Sequence, residues 1–369
     1  MLKRRPPKEI TLGLSISLSG KFRLQGEQAL RGIQLWVEYV NQQGGIYLRD
    51  RAQSLPVRLI AYDDQSKIDL AKSNVVRLLK EDRVDLLFGT YSSVLTLAVA
   101  PIAESNKKIL WNHGGASDDI GKQEWNYLVS VLSPASRYLA SLPSYLVTEE
   151  PTLRRIVCVK ASSGTFAIHV ARGLVEATKA RGLTVHLASF DSPLKDASGL
   201  IKSALSNHPD LLVAIGSFED EVEIVRQWTR AKPIVAVAAG VSTFRQDLGD
   251  KAEGVIGPSQ WEPGVRYSPL TGPTSEWFST HFKRIFGAAP DYTAAQAFAT
   301  GVIIHEAIQQ AGGLEDERLR QAVADLDIHT FYGAFRIDPN SGCQIGHRTL
   351  LVQWQKGKKV IIWPPEPDC

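Results

Sequence analysis

Short apolar runs alternate along this chain with longer stretches whose apolar positions recur every three or four residues. The runs Ile10 to Ser17, Val57 to Tyr62, Val84 to Phe88 and Ile109 to Asn112 read as strands. Between them, Leu24 to Gln42, Lys67 to Lys80 and Val94 to Glu104 carry the helical period, and the first of these stops at Gly44-Gly45. The pattern restarts after Ser133-Pro134. Arg155 to Lys160, Thr184 to Phe190, Leu211 to Ile215, Ile234 to Ala238 and Gly254 to Ile256 read as strands. Thr165 to Ala180, Ala197 to Asn207 and Glu219 to Arg230 read as helices. Two long helical patterns follow, Thr274 to Phe286 and Thr293 to Gln310. A hairpin, Leu350 to Gln355 and Val360 to Trp363 around Lys356-Gly357-Lys358, closes the pattern. Such β-α repetition predicts an α/β fold of two doubly wound, mostly parallel sheets with right-handed crossovers. No low-complexity linker parts the halves, which predicts lobes joined by a hinge.

Two strand ends stand out. Leu86-Leu87-Phe88 opens into Gly89-Thr90-Tyr91-Ser92-Ser93, and the next strand opens into Asn112-His113-Gly114-Gly115-Ala116-Ser117. In an open α/β sheet the carboxyl ends of the strands are where ligands sit. A hydroxyl beside the free N–H groups of a helix start suits a carboxylate. Ser92 and Ser93 therefore have two compatible readings, ligand contact and N-cap of the helix near Val94. Tyr91 reads either as a cleft wall or as a packed surface ring. Gly115 and Ala116 read as backbone that lets a ligand come close, and Ser117 either as an anion donor or as a helix cap. His113 is expected to be structural. For Asp63-Asp64 the expected role is capping of the next helix by Asp64 or Ser66, ahead of metal or acid–base chemistry. In the second half, Ser162, Ser163 and Gly164 end the first strand and Thr165-Phe166 opens its helix.

Composition removes whole classes of function. The 369 residues are 44% hydrophobic and 22% charged, with 42 basic and 39 acidic side chains and a net charge of +3. That balance argues against nucleic acid or an anionic membrane as partner. No apolar run reaches the roughly 18 residues of a membrane span, so no direct membrane insertion is expected. The Lys3-Arg4-Arg5 and Lys8 cluster is expected to be a solvated leader. The N-terminal residues lack the apolar core of a signal peptide, leaving a cytoplasmic protein or a chain whose signal was removed. Cys158 lies in an apolar run and reads as inert core, while Cys343 and Cys369 could pair in an oxidising compartment. Neither metal-ligand spacing nor a nucleophile elbow, Walker loop or dinucleotide fingerprint occurs, so no metal, no cofactor and no catalysis are expected.

Several segments in order resemble the leucine/isoleucine/valine-binding protein family, the type I periplasmic solute-binding proteins of ABC transporters. They include Leu18-Ser19-Gly20, the run from Trp36 to Ile46, Tyr62-Asp63-Asp64-Gln65-Ser66 and Gly89-Thr90-Tyr91-Ser92-Ser93. Ala98 to Glu104, Gly114 to Asp118, Gly164-Thr165-Phe166 and Gly257-Pro258-Ser259-Gln260-Trp261 continue the series, which covers about residues 9 to 364. The resemblance implies two lobes joined by a three-segment hinge, with one lobe from 9–132 and 262–336 and the other from 133–261 and 337–365. It also implies a ligand cleft between them that closes by hinge motion. Ligand contact by Tyr91, Ser92, Ser93, Gly115, Ala116, Ser117, Ser163, Gly164 and Phe218 follows from it. Trp261 is expected in a hinge segment. The implied partners are a small-molecule ligand and a membrane permease, the implied place is the periplasm or cell-envelope exterior, and a monomer is expected. A ligand-sensing domain of a receptor with the same fold is the alternative.

One departure bears on the ligand. Amino-acid binders of that family usually carry an acid beyond the fourth strand of the second lobe, to pair the ligand ammonium. The matching stretch here is Ala238-Ala239-Gly240-Val241-Ser242-Thr243, without an acid. Glu219 or Asp220 would have to substitute. Otherwise the ligand is a carboxylate without an amine, or an amide.

Overall fold

The computed structural model describes residues 8–229 and 232–364, so Cys369 and the Lys3-Arg4-Arg5 run lie outside the described residues. In chain order the first elements are β1 (Ile10–Ile16), α1 (Arg23–Gln42), β2 (Ile46–Leu48), β3 (Gln53–Leu55), β4 (Val57–Asp63), α2 (Ile68–Arg77), β5 (Leu86–Phe88), α3 (Ser93–Ser105), β6 (Leu110–Asn112), α4 (Asp118–Gly121) and β7 (Leu128–Ser130). There follow α5 (Leu142–Glu149), β8 (Arg155–Ala161), α6 (Thr165–Lys179), β9 (Thr184–Phe190), α7 (Ala197–Leu205), β10 (Leu211–Ile215), α8 (Phe218–Gln227), β11 (Ile234–Ala236), α9 (Thr243–Leu248) and β12 (Ile256–Ser259). The chain ends with α10 (Ser275–Phe286), α11 (Tyr292–Ala311), α12 (Asp316–Ala324), β13 (Ile328–Thr330), β14 (Gly333–Phe335), β15 (Leu350–Gln355) and β16 (Lys358–Trp363).

The chain divides into two compact units, 1–132 with 266–347 and 133–265 with 348–369. The crossings thus fall at 132/133, 265/266 and 347/348, which shifts two of the expected boundaries. Residues 337–347 stay with the first unit because its edge strand holds them: Ser130 N–H donates to Gly342 O (2.8 Å) and Gln344 Nε2 to Val131 O (3.0 Å). Residues 262–265 stay with the second, where Glu262 pairs with Lys359 at 2.7 Å, both buried.

The first unit is built on a parallel sheet of order β4-β1-β5-β6-β7. On one face Leu87, Leu110 and Leu128 meet Ala71 and Val75 of α2 and Leu95, Val99 and Ala103 of α3. Period-2 alternation turns Phe88 and Trp111 to the other face. The expected helix Lys67 to Lys80 breaks at Arg77, where residues 78–82 take up a π-helical turn.

The second unit carries a seven-stranded sheet of order β16-β15-β12-β11-β10-β8-β9, parallel from β9 to β12. The C-terminal hairpin then adds antiparallel to β12. Strand β11 stops at Ala236 and residues 237–240 form a 3-10 turn, two residues earlier than expected. β12 begins at Ile256 instead of Gly254. Cys158 is fully buried in β8, and burial pushes its thiol up to about 12, so it packs as an inert apolar group.

Candidate functional site

In the first unit, the loops after β5 and β6 are tied into one surface. Tyr91 and Gly114 form an isolated parallel bridge, and Ser92 N–H donates to Gly114 O at 3.2 Å. Asn112 anchors the second loop from below. Its Nδ2 donates to Gly115 O (2.8 Å) and Ser130 Oγ (2.9 Å), and its Oδ1 accepts from Gly115 N–H (2.8 Å) and Gly114 N–H (3.2 Å). The glycines answer to this packing. A Cβ on Gly114 would stand 2.7 Å from Thr90 O, and one on Gly115 2.5 Å from Thr96 Oγ1. Besides the expected room for a ligand, Gly115 thus makes room for Thr96 of α3.

Ser93 closes the surface. Its Oγ accepts the N–H groups of Ser117 (2.9 Å) and Ala116 (3.2 Å). With its lone pairs so engaged, the hydroxyl has only its proton to offer, which makes it a donor. Ser117 behaves alike: its Oγ caps α4 by accepting Asp119 N–H at 3.3 Å, and its side chain is buried. Ser92 is the N-cap of α3, with Oγ accepting Leu95 N–H at 3.4 Å. Its backbone sits at φ 89°, ψ 149°, a region that side chains other than glycine rarely occupy. It leads directly into α3, whose first N–H groups have no acceptor inside the helix. Donors and helix dipole together make this edge hospitable to an anion.

The neighbours of this surface differ from the expected ones in part. Phe22, just before α1, meets Tyr91 edge-on with centroids 6.1 Å apart, and Lys21 Nζ lies 5.7 Å from the Phe22 ring centroid. Neither residue was singled out from the sequence, although Leu18-Ser19-Gly20 stops just short of them. His113 stacks on Phe88 at 4.5 Å, wholly buried, and both its ring nitrogens lack a partner among the described residues. Burial pushes its imidazole down to about 3, so it is neutral and structural. Asp63 and Asp64 do not cap α2, whose N-cap Lys67 makes no side-chain cap bond. Instead Asp64 accepts from Ser17 Oγ (2.5 Å) and Ser66 N–H (2.9 Å), and Asp63 from Leu18 N–H (2.9 Å) and Ser19 Oγ (2.7 Å). The pair stitches the end of β4 to the loop after β1. A cavity of about 350 Å³ in this unit, lined by Trp125, Leu128, Arg320, Asp325 and Gly342 among others, shares no residue with the 91–93 and 114–117 loops.

In the second unit, Ser163 and Gly164 turn β8 into α6, and Phe218 opens α8 directly after β10, the neighbouring strand. Gly164 has φ 92° and open space where a Cβ would stand; Ser163 and Gly164 are exposed and Phe218 is half-buried. The acids beside them turn inward. Asp220 accepts from Ser192 Oγ (2.6 Å), Leu194 N–H (2.7 Å) and Ser217 N–H (3.1 Å), completing a capping box with Ser217. Burial works to raise its pKa, but these bonds outweigh it and hold the carboxyl below the usual range. Glu221 accepts from Gly216 N–H (2.8 Å) and Ala238 N–H (2.6 Å), and its burial pushes it up to about 8. Glu219, Asp191 and Asp196 are exposed on the loops of this edge, Asp191 bonded to Ser162 Oγ at 2.8 Å and Asp196 capping α7 by accepting Gly199 N–H at 2.8 Å.

Residues 9–359 match the family model described as periplasmic binding protein. The chain belongs to the periplasmic binding protein family. Among curated relatives, Leu/Ile/Val-binding protein homolog 8 of Brucella melitensis is 24% identical over 96% of this chain and 91% of its own length. A leucine-binding protein from Thermotoga maritima has a similar structure, with a TM-score of 0.82 at 19% identity, covering 95% of this chain and 97% of that one. A solute-binding protein of an ABC transporter from R. palustris, solved with benzoate, gives 0.77 at 18% identity over 96% and 95% of the two chains. The fold is thus that of the type I periplasmic binding proteins. Among the described residues no group of three or more histidines, cysteines or acids could hold a metal ion, and no helix is long and apolar enough to cross a membrane. Asn112, the first residue of the 112–117 run, and Glu221, next to Asp220, hold the fold of the site without a motif that announces that role.

Proposed function

We propose that the chain is the extracytoplasmic solute-binding protein of an ABC importer and that it takes a small organic acid without an α-amino group. Family membership supports the solute-binding role and, with it, a permease partner and a periplasmic address. The observation that carries the ligand reading is the inward turn of Asp220, with Glu221 behind it. The stretch 238–243 brings no acid, and the buried acids nearby spend their oxygens on backbone and serine donors. An ammonium buried without a partner costs several kcal/mol.

In this reading the carboxylate of the ligand meets the Ser93 hydroxyl, the start of α3 and the 115–117 backbone, with Ser92 and Ser117 holding that surface and Tyr91 beside it. Ser163, Gly164 and Phe218 are the ligand contacts proposed on the second unit. A thermal-shift screen tests this. The panel sets leucine and phenylalanine against 4-methylpentanoate, 3-phenylpropionate and benzoate. A ligand at a hundredfold its Kd adds about 2.7 kcal/mol, or about 3 °C for a chain of this length unfolding as one. Shifts with the amine-free acids support the reading, and shifts confined to the amino acids overturn it.

A further inference from the structure

Both central sheets end in two edge strands, and three of the four edges are guarded. On β4 the outward groups of Val57 are taken by Asn41, whose Nδ2 donates to Val57 O and whose Oδ1 accepts Val57 N–H (2.8 and 2.7 Å). At the other end of β4, Asn74 Nδ2 donates to Asp63 O at 3.1 Å. The edge of β7 is covered by the chain at Gly342. Strand β16 opens with Lys358-Lys359 and runs into Pro364, and charge and proline discourage pairing.

Strand β9 has none of these devices. Thr184-Val185-His186-Leu187-Ala188-Ser189-Phe190 has no lysine, arginine, acid or proline; all seven residues pair with β8, and six of them are exposed or half-exposed. Thr184 N–H donates inward to Arg154 O, and Phe190 O accepts inward from Ser162 N–H. Alternation then points the N–H and C=O groups of Val185, Leu187 and Ser189 away from the sheet. Leu187 itself is 44% exposed.

We propose that β9 is a homodimer interface, in which two copies of this chain pair their β9 strands antiparallel about a two-fold axis at Leu187. The strand is self-complementary in that arrangement. Leu187 faces Leu187 of the second copy and Val185 faces Ser189, so all the outward groups find partners and no like charges meet. The charges closest to its ends are opposite, Arg181 before and Asp191 after, both exposed. An antiparallel two-fold brings each Arg181 toward the Asp191 end of the other copy, whereas a parallel pairing would set like beside like. A strand pair of this length lies at the small end of specific interfaces, which makes the dimer a weak, concentration-dependent one.

Sedimentation velocity from about 1 µM to about 500 µM covers the range such an interface implies. The wild type is expected to shift from monomer to dimer across it. Leu187→Lys and Leu187→Asp each place like charges on the axis and should leave monomers at every concentration, while an equal mixture of the two should recover a dimer. Arg181→Asp, at an exposed position, should weaken the dimer several-fold with the fold untouched. A wild type that stays monomeric throughout overturns the proposal. So does a dimer that survives both Leu187 variants, because it would use another surface.

Discussion

The two sheets present their carboxyl ends in opposite ways. In the first unit the edge keeps donors to spare: Ser93 keeps a proton to donate, and α3, capped by Ser92, starts with N–H groups that have no acceptor inside the helix. In the second unit the charged groups of the edge fold in, with Asp220 closing a capping box and Glu221 bonded to the 216 and 238 backbone. One edge is prepared for a negative group, while the acids of the other are occupied with their own fold.

Breaking the inward edge should cost the most. Glu221→Ala leaves the Gly216 and Ala238 N–H groups buried without acceptors, with an expected loss of about 3 kcal/mol in a denaturant melt. If the cost is near zero, Glu221 is not what holds the 237–240 turn. Breaking the outward edge should show in binding instead. On the proposed reading Ser93→Ala removes a charge-assisted donor and is expected to weaken a carboxylate ligand by about 2 kcal/mol in calorimetry; it also takes the acceptor from the Ala116 and Ser117 N–H groups, so a denaturant melt is run beside it.

The base of the outward edge gives a pH signature. His113 is held neutral with its pKa depressed to about 3, so the unfolded chain binds the extra proton first. Stability rises with pH in the window from 3 to 6.5 and is lost as pH falls below the unfolded value. About 1 kcal/mol should go between pH 6.5 and 5.5. His113→Phe, which keeps a ring against Phe88, should flatten that part of the profile. The smallest effect concerns Ser92. Ser92→Gly relieves the positive φ while giving up a long cap bond, and a stability gain of about 0.5–1 kcal/mol is expected in the same melts.

Much of this architecture is legible in the sequence because the long elements carry their period openly. Strands 10–16, 155–161 and 211–215 and helices 23–42, 165–179 and 292–311 start and stop within a residue or two of where the apolar pattern does. What escapes is short or locally polar. Three-residue strands such as Leu128–Ser130 are too brief for a period. Helix α12 hides its apolar stripe, Leu319, Ala322 and Val323, among charges. The hydroxyls at the ends of β5 and β6 are visible as a motif, but the direction they face is not. Only the fold shows that Ser93 receives two backbone donors, or that Asp220 spends itself on Ser192, Leu194 and Ser217. The final crossover escapes for a similar reason, since Gln344 and Gly342 bind the edge of β7 through long-range hydrogen bonds that no local pattern announces.

The contrast between the two edges is tested most directly by titration calorimetry with matched pairs, leucine against 4-methylpentanoate and phenylalanine against 3-phenylpropionate. The account expects the amine-free member of at least one pair to bind more tightly by about tenfold or more. Tighter binding of the amino acids would contradict it, and would mean that Glu219 or Asp191 swings in to meet the ammonium.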